Sequence, residues 1–220
     1  MFASDLLSNH ILPLKTTDSL QTASERMADF KVSHLPIVDD LDLLGVISES
    51  ELVEQADYSL SIGNIPLRNK LSYIYDYQHV YDVFKIISNQ NLSLVPVVNS
   101  GRNFLGNITL DRLVEFAGII TSAIQPGGII VIESSENNYS ISEITHILEA
   151  NQTRILSIAV NNSTDSRKVV ITLKLNKVDL TSDLSALARY NYQVTYSFGE
   201  KGFGDDAQER FESFMQYLNM

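Results

Sequence analysis

The 220-residue sequence contains no cysteine, which excludes disulfides, thiolate metal sites and cysteine nucleophiles. It is also short of positive charge: 16 Lys and Arg against 27 Asp and Glu give a formal net charge of −11. Nucleic acid and anionic membranes are repelled over most of such a surface, so neither is expected as a partner. No apolar run approaches the roughly 18 residues of a membrane span, and Met1 to His10 carry Asp5 and no basic cluster. The chain reads as soluble and cytoplasmic. Catalytic signatures are missing too. His10, His34, His79 and His146 are scattered without metal-ligand spacing, and no Gly-x-Ser-x-Gly, P-loop or Gly-x-Gly-x-x-Gly occurs. No enzyme, metal site or resident cofactor is expected.

What is present is a repeat. Ser33-His34-Leu35-Pro36-Ile37-Val38-Asp39, followed by Gly45-Val46-Ile47-Ser48, recurs as Ser93-Leu94-Val95-Pro96-Val97-Val98-Asn99, followed by Gly106-Asn107-Ile108-Thr109. The helical apolar face Leu20, Ala23, Met27 and Phe30 has a counterpart in Val80, Val83, Phe84 and Ile87, and a shift of 60 residues carries Leu20, Ala23 and Met27 onto Val80, Val83 and Ile87. Each copy reads as strand, helix, strand, strand, helix. Ala3 to Asn9 form a helical lead-in, Asp18 with Gln21 predicts a capping box, and Ser48 and Thr109 stand where they can cap the closing helices. A unit of about 60 residues buries little surface alone, so the two copies should pack through their sheets.

Gln125-Pro126-Gly127-Gly128 marks a boundary. Beyond it the pattern predicts strands at 129–132, 155–160, 169–175 and 193–198 and helices at 140–150 and 182–190. The order βαββαβ implies an antiparallel sheet with both helices on one face. Phe211, Phe214, Met215 and Leu218 then lie at helical spacing in the tail. The fold class is mixed α/β (α+β), divided into 1–60, 61–124, 125–200 and a C-terminal amphipathic helix over 201–220.

The duplicated Leu-Pro-Ile-Val-Asp strand and Gly-Val-Ile-Ser turn resemble the CBS domain, which normally occurs as a tandem pair. The ferredoxin-like βαββαβ segment resembles an ACT domain, a small ligand-sensing and dimerising unit. A chain of this length with both is similar to the acetoin-utilisation B-type proteins. The resemblance implies a homodimeric regulatory protein binding AMP, ADP, ATP or S-adenosylmethionine between the CBS copies. In the ligand-binding form of that family, a Gly-apolar-apolar-Ser/Thr-x-x-Asp motif turns its hydroxyl to phosphate and its carboxylate to ribose. Gly45, Ser48 and Glu51 fill the first motif, and Gly106, Thr109 and Arg112 the second. Glu51 keeps an acceptor at the ribose position, whereas Arg112 has none and favours an anionic group.

His34, in the place of Leu94, is a candidate for stacking on a base or an ordinary partly satisfied histidine. Pro36 and Pro96 line the same region or merely shape buried strands. Ser48 and Thr109 are ligand contacts or helix caps alone. Tyr73, Tyr75 and Tyr77 alternate on one face, as a stacking platform or, with only Arg68 and Lys70 nearby, a subunit interface. The loop 134–140 lacks the glycine usual in effector-binding ACT domains, which favours sheet pairing between subunits over amino-acid binding. Loss of ligand response on Glu51→Ala would separate a sensor from a ligand-free scaffold.

Overall fold

The structure, a computed structural model, describes residues 1–67, 72–135, 138–163 and 167–199. The chain divides into two compact units, Met1–Phe116 and a second from Ala117 onward. In the first, each repeat lays a helix on a β-hairpin: α1 (Leu20–Phe30) on β1 (His34–Asp39) and β2 (Asp42–Ser48), then α3 (Val80–Gln90) on β4 (Leu94–Val98) and β5 (Phe104–Thr109). The leading strand is β3 (Ile74–Tyr75), parallel to β4, in the second copy. It shrinks to one parallel bridge, Leu14 to Ile37, in the first. The closing helices are α2 (Glu49–Val53) and α4 (Leu110–Ile120).

Ser19, not Asp18, caps α1, its hydroxyl accepting the Thr22 N–H at 3.1 Å. Asp18 instead accepts the Lys15 N–H at 3.0 Å and closes the turn before the helix, as Gln78 does for the Tyr75 N–H at 2.9 Å. Phe30, expected on the apolar face, is 43% exposed. The helix stops there at the left-handed Lys31, and Val32, whose N–H returns to the Met27 carbonyl, packs on the core in its stead.

Strand alternation divides the apolar residues between two surfaces. Leu35, Ile37 and Ile47 pack with Leu20, Ala23 and Met27, while Val95, Val97 and Ile108 pack with Val80, Val83 and Ile87. Other strand residues join the copies through their sheets. Leu94 belongs to the first copy's core, and Val38, Leu43 and Val98 form a shared cluster bordered by Tyr73, Tyr75 and Phe104. The N-terminal segment crosses between them: Ala3 and Leu6 sit in the second copy's core, Ile11 and Leu14 in the first's.

In the second unit, β6 (Ile129–Ser135), β7 (Ile155–Asn162), β8 (Lys168–Leu175) and β9 (Gln193–Phe198) form one sheet in the order β7-β8-β6-β9, every neighbouring pair antiparallel. Val169, Ile171, Leu173 and Leu175 alternate inward on β8 and meet Ile144, Ile147 and Leu148 of α5 (Ile141–Ala150) and Ala186 and Leu187 of α6 (Thr181–Arg189). Both helices therefore lie on one face, as the βαββαβ order requires. The expected tail helix, with Phe211, Phe214, Met215 and Leu218, lies outside the described residues. Among those described, no helix is long and apolar enough to cross a membrane.

Candidate ligand site of the repeat pair

The sheet register assembles the candidate residues. His34 pairs across the hairpin with Ser48, and Leu94 with Thr109. Glu51 and Arg112 follow within the first turn of α2 and α4. Pro36 and Pro96, two residues along from His34 and Leu94, are both buried, opposite Val46 and Asn107. The seven residues thus sort into two hairpin ends, one per copy, rather than one ring.

The ends are chemically unlike. At the first, Ser48 caps α2 in a reciprocal box: its hydroxyl accepts the Glu51 N–H at 3.3 Å, while Glu51 Oε2 accepts both the Ser48 N–H and the Ser48 hydroxyl at 2.8 Å. Glu51 is only 5% exposed. At the second, Thr109 accepts the Arg112 N–H at 3.4 Å, and the Arg112 guanidinium lies outward on Glu115 at 2.7 Å. Thr109 is partly exposed and Arg112 exposed.

His34 connects the copies. Its Nδ1 accepts the Ser93 N–H at 3.2 Å, and Ser93 Oγ in turn accepts the Ser33 N–H at 3.0 Å. The hydrogen-bonded ring therefore carries its proton on Nε2. Burial lowers the His34 pKa below its usual 6.5, against the opposing pull of Glu51 and Glu49. Below pH 6.5 the unfolded chain binds the proton first, so stability is complete above that pH and falls as pH drops through the lowered folded value. His34→Asn keeps an acceptor for Ser93 and removes the titration. Urea midpoints measured from pH 7.5 to 5 should fall further in the parent than in His34→Asn.

Tyr75 meets Tyr73 edge-on at 5.5 Å and stacks on Tyr77 at 5.3 Å, while the Arg102 guanidinium stands 5.2 Å over the Tyr73 ring. The tyrosines do cluster, with a cation supplied from the β4–β5 turn that sequence reading missed. Arg68 and Lys70 lie outside the described residues. Asn107, also missed, is fully buried; its Nδ2 donates to the Ile11 carbonyl at 2.9 Å and its N–H to Ser8 at 3.0 Å, pinning the N-terminal segment to β5. The absence of an apolar residue opposite Pro96, where the first copy has Val46, is the signal that marks it.

In the second unit, the end of β6 borders a polar pocket of about 430 Å³. Its Glu133 is held by Lys168 at 2.6 Å and its Glu143 by the Tyr192 hydroxyl at 2.5 Å. Burial first, and then that carboxylate, raises the Tyr192 pKa. Glu136 and Asn137 of the glycine-free loop lie outside the described residues.

Two homologous hairpin-and-helix copies, joined through their sheets and each ending in a hydroxyl-capped helix, define a tandem repeat pair. The CBS domain model matches residues 3–57 and again 62–119, just over half of the chain, and the protein belongs to the CBS domain family. A curated relative, a homoserine O-acetyltransferase of Methanosphaera stadtmanae, is 30% identical over 107 residues, which are 48% of this chain and 22% of that protein. The chain thus spans about a fifth of that relative. Among solved structures, a CBS domain pair/ACT domain protein of Thermotoga maritima matches at 14% identity and TM-score 0.49, covering 53% of this chain and 96% of its own. CBSX2, solved in complex with AMP, matches at 21% identity and TM-score 0.47, covering 53% and 95%. An acetoin utilization protein of Vibrio cholerae matches at 21% and 0.47, covering 53% and 90%.

Proposed function

We propose that this protein is a non-catalytic cytoplasmic regulator whose CBS pair binds an adenosine-containing effector, among AMP, ADP, ATP and S-adenosylmethionine. His34, Pro36, Ser48 and Glu51 serve the first copy's site, and Pro96, Thr109 and Arg112 the second's. The observation that carries the reading is the junction at His34: one hydrogen bond from Ser93 links the two copies beside the Ser48 cap. A ligand touching both copies favours one relative orientation, and that population shift is the output. The second unit is read as an ACT-like domain that pairs subunits into a homodimer. Support comes from its open sheet face, where Tyr196 and Phe198 are 62% and 53% exposed.

Calorimetric titration with these four ligands, alongside thermal shift, tests the sensor. Heat and a rise in melting temperature are expected with at least one; silence with all four sinks the reading. A ligand-free scaffold is the second reading, favoured by the pairing of Arg112 with Glu115 and the mutual satisfaction of Ser48 and Glu51. Glu51→Ala decides between them: a sensor loses its response and about 1 kcal/mol of capping energy, a scaffold only the latter.

A further inference from the structure

We propose that the chain's own C-terminal segment, residues 205–218, covers the open face of the second unit's sheet. Strand register defines that face. Side chains alternating with the buried Ile130 and Leu173 point away from the helices: Thr172, Val131 and Tyr196 form one row across β8, β6 and β9, and Lys174, Ile129 and Phe198 the next. The Tyr196 and Phe198 rings stack at 6.5 Å with 21° between their planes, an apolar ridge along the edge strand. Lys174 is the one charge in these rows, and its Nζ donates to the Gly127 carbonyl at 2.8 Å. On the β7 side the face is bounded by the turn after α4, where the Ser157 hydroxyl donates to the Thr121 carbonyl at 2.7 Å.

The occupant follows from where the chain leaves this face. Phe198 ends β9, so residues 200–220 start beside the ridge. Glu200 to Gly204 include two glycines, which suit a reversal. Asp205 with Gln208, and Asp206 with Glu209, then have capping-box spacing, and Ala207, Phe211, Phe214, Met215 and Leu218 share one helical face. A helix over 206–218 is about 20 Å long, the length of a six-residue strand such as β9. Such a stripe requires cover, and an apolar surface of matching length lies within reach of a five-residue connection. A membrane suits it less: from residue 205 onward four acids stand against Arg210 alone, a balance that anionic lipid repels. The inference goes beyond the subunit pairing read above, in which this face meets a second copy. A short tether holds the tail at about millimolar effective concentration, so pairing through this face has to displace it.

The test uses the full chain, in which introduced thiols report alone because it has no cysteine. Thr172→Cys is combined in turn with Phe211→Cys, Phe214→Cys and Leu218→Cys and treated with a short bismaleimide at low protein concentration. Ala188→Cys, exposed on α6 on the helical side of the sheet, replaces Thr172→Cys as the control. At least one Thr172 combination should link within a single chain, at the monomer's mass, several-fold faster than any Ala188 combination. Equal linking at both positions, or none at Thr172, overturns the inference, and a product at twice the mass overturns it by placing the tail on a partner. Phe211→Asp with Phe214→Asp alters no core side chain of the described residues. It should speed exchange of the β9 amides at least about tenfold and tighten subunit pairing in sedimentation. Unchanged exchange, or weaker pairing, overturns the inference. Both proteins remaining monomeric at every concentration sinks the pairing reading alone, because the crosslink and the exchange still report on the tail.

Discussion

Asp183→Ala should destabilise the second unit by about 2–4 kcal/mol, through the loss of hydrogen bonds to a buried charge and the orphaning of a buried hydroxyl. Asp183 is fully buried, and its Oδ1 accepts the Thr153 hydroxyl at 2.8 Å and an Asn151 amide hydrogen at 3.3 Å. Lys177 Nζ stands 3.0 Å from Oδ2; that oxygen meets no hydrogen-bond geometry, so the contact acts as a charge pair. One carboxylate thereby ties the start of α6 to the turn after α5 and to the end of β8. Alanine leaves the buried Thr153 hydroxyl without its acceptor, at more than a hydrogen bond's net worth, while the partly exposed Lys177 keeps its hydrogen bonds to the Asn151 carbonyl and the Ser182 hydroxyl. Urea unfolding followed by hydrogen exchange should show early opening of amides in β6–β9, with protection in the CBS pair retained. Replacing both charges, as Asp183→Leu with Lys177→Met, should recover part of the loss; equal instability in the double variant would assign the effect to packing.

Leu94→Ala should cost the first unit about 2–5 kcal/mol, transfer and cavity terms together. Leu94 belongs by sequence to the second repeat, yet it is fully buried in the core of the first, among Leu14, Leu35 and Ile37. Its truncation should lower the stability of both copies in a single transition, because the cavity opens where they join. Two transitions in the denaturation curve, with α3 and β4–β5 unaffected, would mean the copies fold independently. Ala3 and Leu6 carry the same lesson from the other side, lying in the second copy's core although they precede the first.

Much of the architecture was legible because it rests on period. The helical registers of Leu20, Ala23 and Met27 and of Val80, Val83 and Ile87 could be read directly, as could the alternation on β8, since burial of one face imposes those spacings wherever the face points. Element order in the second unit followed in the same way. Local polar choices were harder. Asp18 and Ser19 are both capable caps, and the decision fell to whichever side chain met Thr22 once the preceding turn had closed on Asp18.

At the candidate site the division is sharper. Residue identity alone determined that two Gly-x-x-Ser/Thr turns exist, that Glu51 and Arg112 break their equivalence, and that no thiol chemistry is available. Which groups those side chains meet was decided by tertiary structure: Glu51 folded onto Ser48, Arg112 drawn out to Glu115, His34 carried across to Ser93. The physical reason is that a hydrogen bond needs its partner within about 3 Å and in line. A repeat determines spacing along the chain, but only the packed pair brings Ser93, sixty residues from Ser33, to that distance.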